Sequence, residues 1–471
     1  MASQSTEPAS GGHVSTSGNE KSDAPAKSGM GFLTKKVWAW SLWDWGSAAF
    51  NAVVTTFVFT PYLTAASNFG PQANTRVAWG LSLAGLVVAL IAPTIGQWAD
   101  RTGKKNTLLS VTTLGTIACM VGMFWAKPHS TSLLLIGIVL LAIGNILFEI
   151  GSVVYNARVS DISKPGTVGR VSGFGWGMGY VGGIVLLLIL YVGFIGPEVG
   201  WFGVTSDAGL DIRACMIACA LWTLIFSAPL MISSVDTGPN GKPPVGLVGA
   251  YKQLFHQIRT LWNRDRSIVW FLLASAVYRD GLAGVFSFGG TLAAAAYGFS
   301  AGEVLIFGIA ANLVAGIATM LFGFIDDRIG SRKLIILSLV LMLAAGLGVF
   351  ALHSSGKAAF WVCGLVLCIF VGPVQSSSRT YLIRVTPPGL SGEMFGLYAT
   401  TGRAISFLSP LMYGVAITIG AAASGVPQDL AAHFGVLGIA FVLLVGLLLF
   451  LPVHDAKPGQ KRPAASPARS N

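Results

Sequence analysis

Long apolar runs separated by short polar or basic stretches fill the chain between residues 36 and 453. About 20 apolar residues in helical form cross a hydrocarbon core of roughly 30 Å. Runs of that length lie near 37–65, 77–99, 107–126, 133–157, 174–195 and 213–232, and again near 268–296, 302–325, 334–353, 359–383, 394–420 and 432–452. The pattern predicts an all-α polytopic membrane protein with twelve transmembrane helices in two sets of six. Polar residues recur inside these runs at helical spacing. Asp44, Ser47, Asn51 and Thr55 fall on one face of the first helix, and Asn145, Glu149, Ser152 and Asn156 on one face of the fourth. Helix 7 carries Arg279 and Asp280, with Gly284, Ser287 and Thr291 on the Asp280 face; helix 10 carries Gln375 and Arg379, and helix 11 carries Arg403. A polar stripe against lipid is costly, so these faces are expected to line a cavity or a helix seam.

One decapeptide recurs. Gly96-Gln97-Trp98-Ala99-Asp100-Arg101-Thr102-Gly103-Lys104-Lys105 is echoed by the stretch from Gly323 to Lys333, which pairs Gly96 with Gly323, Asp100 with Asp327, Arg101 with Arg328 and Gly103 with Gly330 at one constant spacing. Tyr155-x-x-Arg158 is echoed in the same way by Tyr381-x-x-Arg384, setting Gln375 opposite Glu149. Two phased copies about half a chain apart point to an internally duplicated membrane protein.

Composition agrees with a bilayer as solvent. Hydrophobic residues make up 53% of the chain and charged residues 10%, against roughly 25% charged in soluble domains. The net charge of +11 is dispersed over short loops, so no nucleic-acid partner is expected. It follows the positive-inside rule instead: only Arg76, Lys127, Arg213 and Lys357 fall in the loops of one side. That side is expected to be external, with both termini cytoplasmic and the protein in the cell (inner) membrane. The five cysteines lie inside predicted spans as small apolar residues, and no disulfide is expected.

The expected organisation is a disordered cytoplasmic tail over 1–33 without a signal peptide and a six-helix bundle over 34–232. A polar and basic cytoplasmic linker over 233–266, its middle suited equally to an interfacial helix or to a simple tether between the halves, leads to a second bundle over 267–453 and a tail over 454–471. Gly177-Met178-Gly179-Tyr180-Val181-Gly182 satisfies the dinucleotide pattern, but no strand precedes it, and Gly175, Gly179 and Gly183 at four-residue spacing fit close helix packing. No cofactor or metal is expected. No catalytic His, Ser or Cys constellation is visible, so an enzyme is not expected.

The decapeptides resemble the cytoplasmic signature Gly-x-x-x-Asp-Arg-x-Gly-x-Lys/Arg of the major facilitator superfamily. Trp43-Asp44-Trp45, Gly169 to Trp176, Tyr278 to Gly281, and Phe395-Gly-Leu-Tyr398 with Gly402-Arg403 resemble its vacuole-effluxer-like branch, whose fungal members are linked to amino-acid export from the vacuole. The resemblance covers about residues 36–452 and departs from the usual leucine at Trp98 and Ile325. It implies the major facilitator fold and a secondary active transporter working by alternating access, functional as a monomer because one chain holds both halves. The expected cytoplasmic gate comprises Gly96, Asp100, Arg101 and Gly103 with Arg158, and by repeat Asp327, Arg328 and Arg384.

Six ionisable side chains lie deep in predicted spans, Asp44, Glu149 and Asp280 against Arg279, Arg379 and Arg403. An isolated charge there costs at least about 2.5 to 3.5 kcal/mol. They are expected to pair with one another or, with Asn51 and Gln375, to line a central substrate-binding or proton-coupling cavity. Opposed charges suit an amino acid or related zwitterion, and the arginines alone suit an organic anion. No histidine lies at mid-membrane, so a desolvated carboxylate, Glu149 foremost, is expected to carry any coupled proton. Two other readings stand beside this one: ion pairs that only fix helix register, and a non-transporting receptor or scaffold on the same fold.

Overall fold

The computed structural model describes residues 31–455 except 234, 237, 239–248, 250, 253–255, 257, 260–261, 264–265, 388 and 429–430. Most of both expected tails and part of the linker therefore lie outside the described residues. Twelve helical spans follow one another. The first six are α1 (Lys35–Ala48, continued by Ala49–Phe57 and Phe59–Thr64), α2 (Ala73–Thr102), α3 (Lys105–Met123), α4 (Thr131–Ala157), α5 (Val168–Leu190) and α6 (Leu210–Ser233). The next six are α7 (Arg266–Tyr297), α8 (Ala301–Ile329), α9 (Ser331–Ala351), α10 (Lys357–Val385), α11 (Ser391–Ile405 and Leu408–Ser424) and α12 (Gly435–Phe450). Eleven are each long and apolar enough to cross a membrane, and the broken α1 supplies a further passage.

Local chemistry sets several helix starts and stops. Thr34 accepts a hydrogen bond from the Val37 amide at the start of α1, Ser130 does the same for Leu133 in α4, and Ser300 with Glu303 forms a reciprocal capping box for α8. Gly103, at φ +67°, ends α2 in the left-handed conformation that only glycine adopts without strain. Both decapeptides are mostly helical rather than loop. α2 runs to Thr102 and α8 to Ile329, so Asp100 and Asp327 project from the last turns of their helices.

α1 departs from the expected single polar face. Its α-helix gives way at Ala49 to a π-helix through Phe57, whose wider turn rotates every later side chain relative to the α-helical register. Asp44, upstream of this change, faces α5 beside Gly179. Ser47 is buried in a small cavity with the hydroxyls of Thr112, Thr113, Thr116 and Thr223, and Asn51 is exposed.

Within the first six helices α1 packs on α5 and α6, α3 on α4 and α6, and α2 on α4. Within the second six α7 packs on α12, α10 on α8 and α9, and α9 on α12. Two main seams join the sets, α2 with α11 and α5 with α8, and α10 also meets α5 and α11 meets α4. Glycines bring the backbones together in both main seams. A Cβ on Gly96 would lie 2.1 Å from the Gly392 carbonyl oxygen, and one on Gly323 would lie 2.7 Å from that of Gly169.

Candidate functional site

At the end of the bundle that carries the two decapeptides, carboxylates reach across the seams between the two sets. A helix start leaves amide groups without intrahelical partners, and its positive dipole end favours an anion. Neither α11 nor α5 has a side-chain cap of its own. Asp100 of α2 supplies one for α11: Oδ2 accepts from the Glu393 amide at 2.9 Å, while Oδ1 meets Lys105 Nζ at 2.9 Å. Lys105 also donates to Ser391 Oγ at 3.0 Å, and Gln97 Nε2 donates to Glu393 Oε1 at 2.9 Å. Asp327 of α8 does the equivalent for α5, accepting from the amides of Gly169 and Arg170 at 2.8 and 3.0 Å.

The arginines behind these aspartates differ. Arg384 of α10 bonds Asp327 at 3.0 Å, Asp326 at 2.6 Å and Ser331 Oγ at 2.8 Å. Arg158 makes no direct ion pair with Asp100; it donates to Asn106 Oδ1 at 2.9 Å, and Asp236 caps α3 by accepting from the amides of Asn106 and Thr107. Arg101 is half-buried and Arg328 is exposed. Of the expected gate residues, the structure thus unites Asp327 with Arg384 and engages Asp100, but sets Arg158 against α3 instead.

Deeper in the spans, Arg379 of α10 projects wholly into the first set. Only 2% of it is exposed. Its Nε donates to Ser172 Oγ at 2.9 Å, Nη2 to the Ser172 carbonyl, and Nη1 to Asn156 Oδ1 at 2.8 Å. The guanidinium lies 4.9 Å from the Trp40 ring and 5.6 Å from that of Trp176, a cation–π cage. Asp44 and Tyr155 share this pocket. Farther along, Arg403 of α11 pairs directly with Glu149 of α4, each side chain keeping roughly a quarter to a third of its surface open, 30% and 26%. Gln375 donates to Tyr180 Oη at 3.4 Å, and Thr400 to the Ala89 carbonyl at 3.0 Å.

Arg279 and Asp280 serve within the second set. Arg279 lies 3.8 Å over the Tyr398 ring and donates to the Tyr398 carbonyl at 3.2 Å. Asp280 accepts from the Ser409 amide, the start of the outer piece of α11, and so caps a helix that begins inside the membrane span. Among the described residues, Asn51 takes side-chain hydrogen bonds only within α1, from Thr55 and Thr56.

Sequence reasoning missed Ser172, Tyr155, Trp40 and Trp176 as the receptors of Arg379. A cationic residue in a span with no acid at helical spacing beside it was the available signal. It also missed Glu393 and Asp236, which earn their contacts through caps and pairings between distant segments.

Among the described residues, hydrogen bonds between the two sets run from the decapeptide end up to the level of Gln375–Tyr180, Thr400–Ala89 and Arg403–Glu149. Beyond that level the outer piece of α11 packs on α12 and α7, and Leu83 and Leu86 of α2 and Phe407 and Leu411 beside the other face are exposed.

Comparison with known proteins agrees with this architecture. The chain is 24% identical over 428 residues to an uncharacterised MFS-type transporter, YxiO, of Bacillus subtilis, spanning 89% of this chain and 95% of that protein. It is 23% identical over 309 residues to autophagy-related protein 22-1 of Aspergillus fumigatus, covering 60% of this chain and 47% of that longer protein. The fold superposes on the proton:xylose symporter XylE with a TM-score of 0.68 at 13% identity, over 90% of this chain and 96% of the symporter. It superposes on a bacterial homologue of the iron transporter ferroportin, in an outward-facing state, with a TM-score of 0.62 at 14% identity, over 90% and 99%. The model of the family described as vacuole effluxer Atg22-like matches residues 72–461. The chain therefore belongs to the vacuole effluxer Atg22-like family and is a multi-pass membrane transporter of the major facilitator superfamily.

Proposed function

We propose that the chain is a secondary active transporter that carries a small polar solute, an amino acid or related zwitterion or organic anion, by proton-coupled alternating access. The observation that carries this reading is the Glu149–Arg403 pair. It joins the two helix sets at the last level where they hold each other and keeps part of both charges open. A carboxylate and a guanidinium facing one opening offer one counter-charge to each end of a zwitterion, and an anion would take the guanidinium alone. On this reading the decapeptide end is the closed cytoplasmic mouth, the cavity opens to the outside, and both termini are cytoplasmic in the cell membrane. The two sets in one chain suffice for the rocking motion, so the monomer is the working unit.

The test is counterflow in proteoliposomes with amino acids, organic anions and sugars, which also separates flux from binding without flux by a receptor or scaffold. Labelled amino acid or organic anion should exchange against the unlabelled compound. Arg403→Gln should weaken the solute that exchanges by about tenfold or more, the scale of one charged hydrogen bond at roughly 1.5 to 3 kcal/mol. Binding with no exchange of any solute would leave the receptor reading standing instead.

A further inference from the structure

The chain enters α1 through Gly31-Phe32-Leu33-Thr34, and this short segment is tied down. Thr34 caps α1 by accepting from the Val37 amide, and its own amide donates to the Phe32 carbonyl at 2.9 Å. Phe32 lies before the first helix, yet its side chain is half-buried. Its ring stands nearly perpendicular to two others. One is Phe174 of α5, with centroids 6.3 Å apart and planes at 82°; the other is Phe324 of α8, at 5.7 Å and 86°. Edge-to-face contact at such distances is a preferred arrangement of aromatic pairs. Phe174 belongs to the first set and Phe324 to the second, so a side chain from outside the helices bridges the α5–α8 seam.

The surroundings place this bridge beside the Asp327 cap. Trp38 of α1 meets Phe174 at 5.1 Å and 84°, which holds that ring against the first set. Arg170 of α5 also reaches Phe324, its guanidinium 5.2 Å from the ring centroid, while its Nε lies 3.4 Å from Asp327. The repeat shows what is particular to this seam. Phe324 stands where the first decapeptide has Gln97, and Gln97 crosses the α2–α11 seam by its own bond to Glu393. A phenylalanine offers no such bond. At α5–α8 the crossing is made instead by a ring that the N-terminal segment brings to it.

A contact shifts a conformational equilibrium only when it is made in one state and not in the other. α1 packs on α5, so Phe32 travels with the first set and keeps Phe174 wherever that set moves. Phe324 travels with α8. Separation of α5 from α8 at the decapeptide end breaks Phe32–Phe324 and leaves Phe32–Phe174 intact. The contact across the seam therefore belongs to the closed arrangement alone. Docking costs little chain entropy, because the turn at Thr34 tethers the ring close to its place.

We propose that Phe32 is an intramolecular clasp: docked against Phe174 and Phe324, the segment ahead of α1 holds the decapeptide end closed, and its departure from Phe324 favours opening. This rests on the transporter reading above, in which that end opens and closes. It makes the N-terminal segment a control element separate from the solute site. Anything that draws Phe32 off Phe324 raises the open fraction, while Glu149 and Arg403 keep their own contacts.

The experiment uses the full chain, with its five native cysteines replaced, in lipid nanodiscs. Spin labels at Lys164→Cys and Lys333→Cys, exposed positions on the two sets at the decapeptide end, read the opening as a distance distribution. Phe32→Ala should raise the ratio of long to short distances about three- to tenfold, the scale of one aromatic pair. In a Phe324→Ala background the same substitution should have no further effect, because the partner ring is already gone; a role of Phe32 within the first set alone would persist there. The comparison is repeated with Gly96→Ala, which crowds the other seam. A Phe32→Ala distribution equal to its parent's in both the wild-type and Gly96→Ala backgrounds overturns the proposal, as does an undiminished effect of Phe32→Ala on top of Phe324→Ala. Counterflow on the parent protein separates the two levels: flux with either overturning result removes only the clasp, whereas absence of flux removes the transporter reading and leaves the distance response to stand by itself.

Discussion

The α5–α8 seam and the α2–α11 seam are built from the same duplicated decapeptide, yet they are fastened differently. In both, an aspartate from one set caps a helix of the other, and a glycine pair lets the backbones touch. Behind Asp327 stands a buried fork in which Arg384, 7% exposed at its side chain, bonds two aspartates that are each 1% exposed. Behind Asp100 stands a lysine with 17% of its side chain exposed. The cause is visible in the two copies. Asp326 has Ala99 at the corresponding position of the first copy, so there is no second carboxylate to hold Arg158 there, and Arg158 turns to Asn106. The α5–α8 fastening rests on a buried arginine shared by two carboxylates, and the α2–α11 one on a partly exposed lysine paired with a single carboxylate. Duplication preserved the cap and let the charge behind it diverge.

The largest expected effect breaks the seam whose arginine holds two aspartates. Arg384→Ala leaves Asp326 buried without its cation and Asp327 with Arg170 as its ion partner, and should cost about 3 to 5 kcal/mol, seen as a large drop in the thermal unfolding midpoint of the purified protein. If the drop equals that of an exposed-pair variant, the contrast between the seams is wrong. Gly96→Ala comes next. Its Cβ overlaps the Gly392 carbonyl, and forced packing of this kind costs about 1 to 3 kcal/mol; the same labelled-distance measurement should show the decapeptide end displaced toward open. Smallest is Lys105→Gln, which removes a partly exposed ion pair and should cost under about 1 kcal/mol, with an unfolding midpoint close to that of the parent protein. A drop comparable to Arg384→Ala would show that the single pair of the α2–α11 seam is as tightly held as the shared arginine of the α5–α8 seam.

Helix number, order and the pairing of the two copies were legible in the sequence because hydrophobic length and repeat spacing are local, one-dimensional signals. Asp327 and Arg384 were legible for the same reason, being fixed by their positions in the repeat. The break in α1 was not, because a π-helix is selected by packing against α5 and α6 rather than by composition, and it undid the expected stripe from Asp44 to Asn51. The role of Asp280 was hidden as well. A helix restart at Leu408 inside an apolar run leaves no polar punctuation in the sequence, and only the fold reveals that an amide there seeks a carboxylate from α7. Arg158 shows the converse, since the repeat placed it correctly on α4 while a neighbouring asparagine decided where it points.

The restart of α11 has a mechanical consequence. A continuous helix transmits a tilt along its whole length, whereas two rods joined at Ser406 and Phe407 can change their mutual angle. The inner rod, Ser391–Ile405, is clasped to α2, and the outer rod, Leu408–Ser424, is anchored through Asp280 to α7 and along its side to α12. The outer rod can therefore swing with its own bundle as an independent leaf while the inner rod stays seated, giving the single strand of α11 two degrees of freedom where a straight helix would have one.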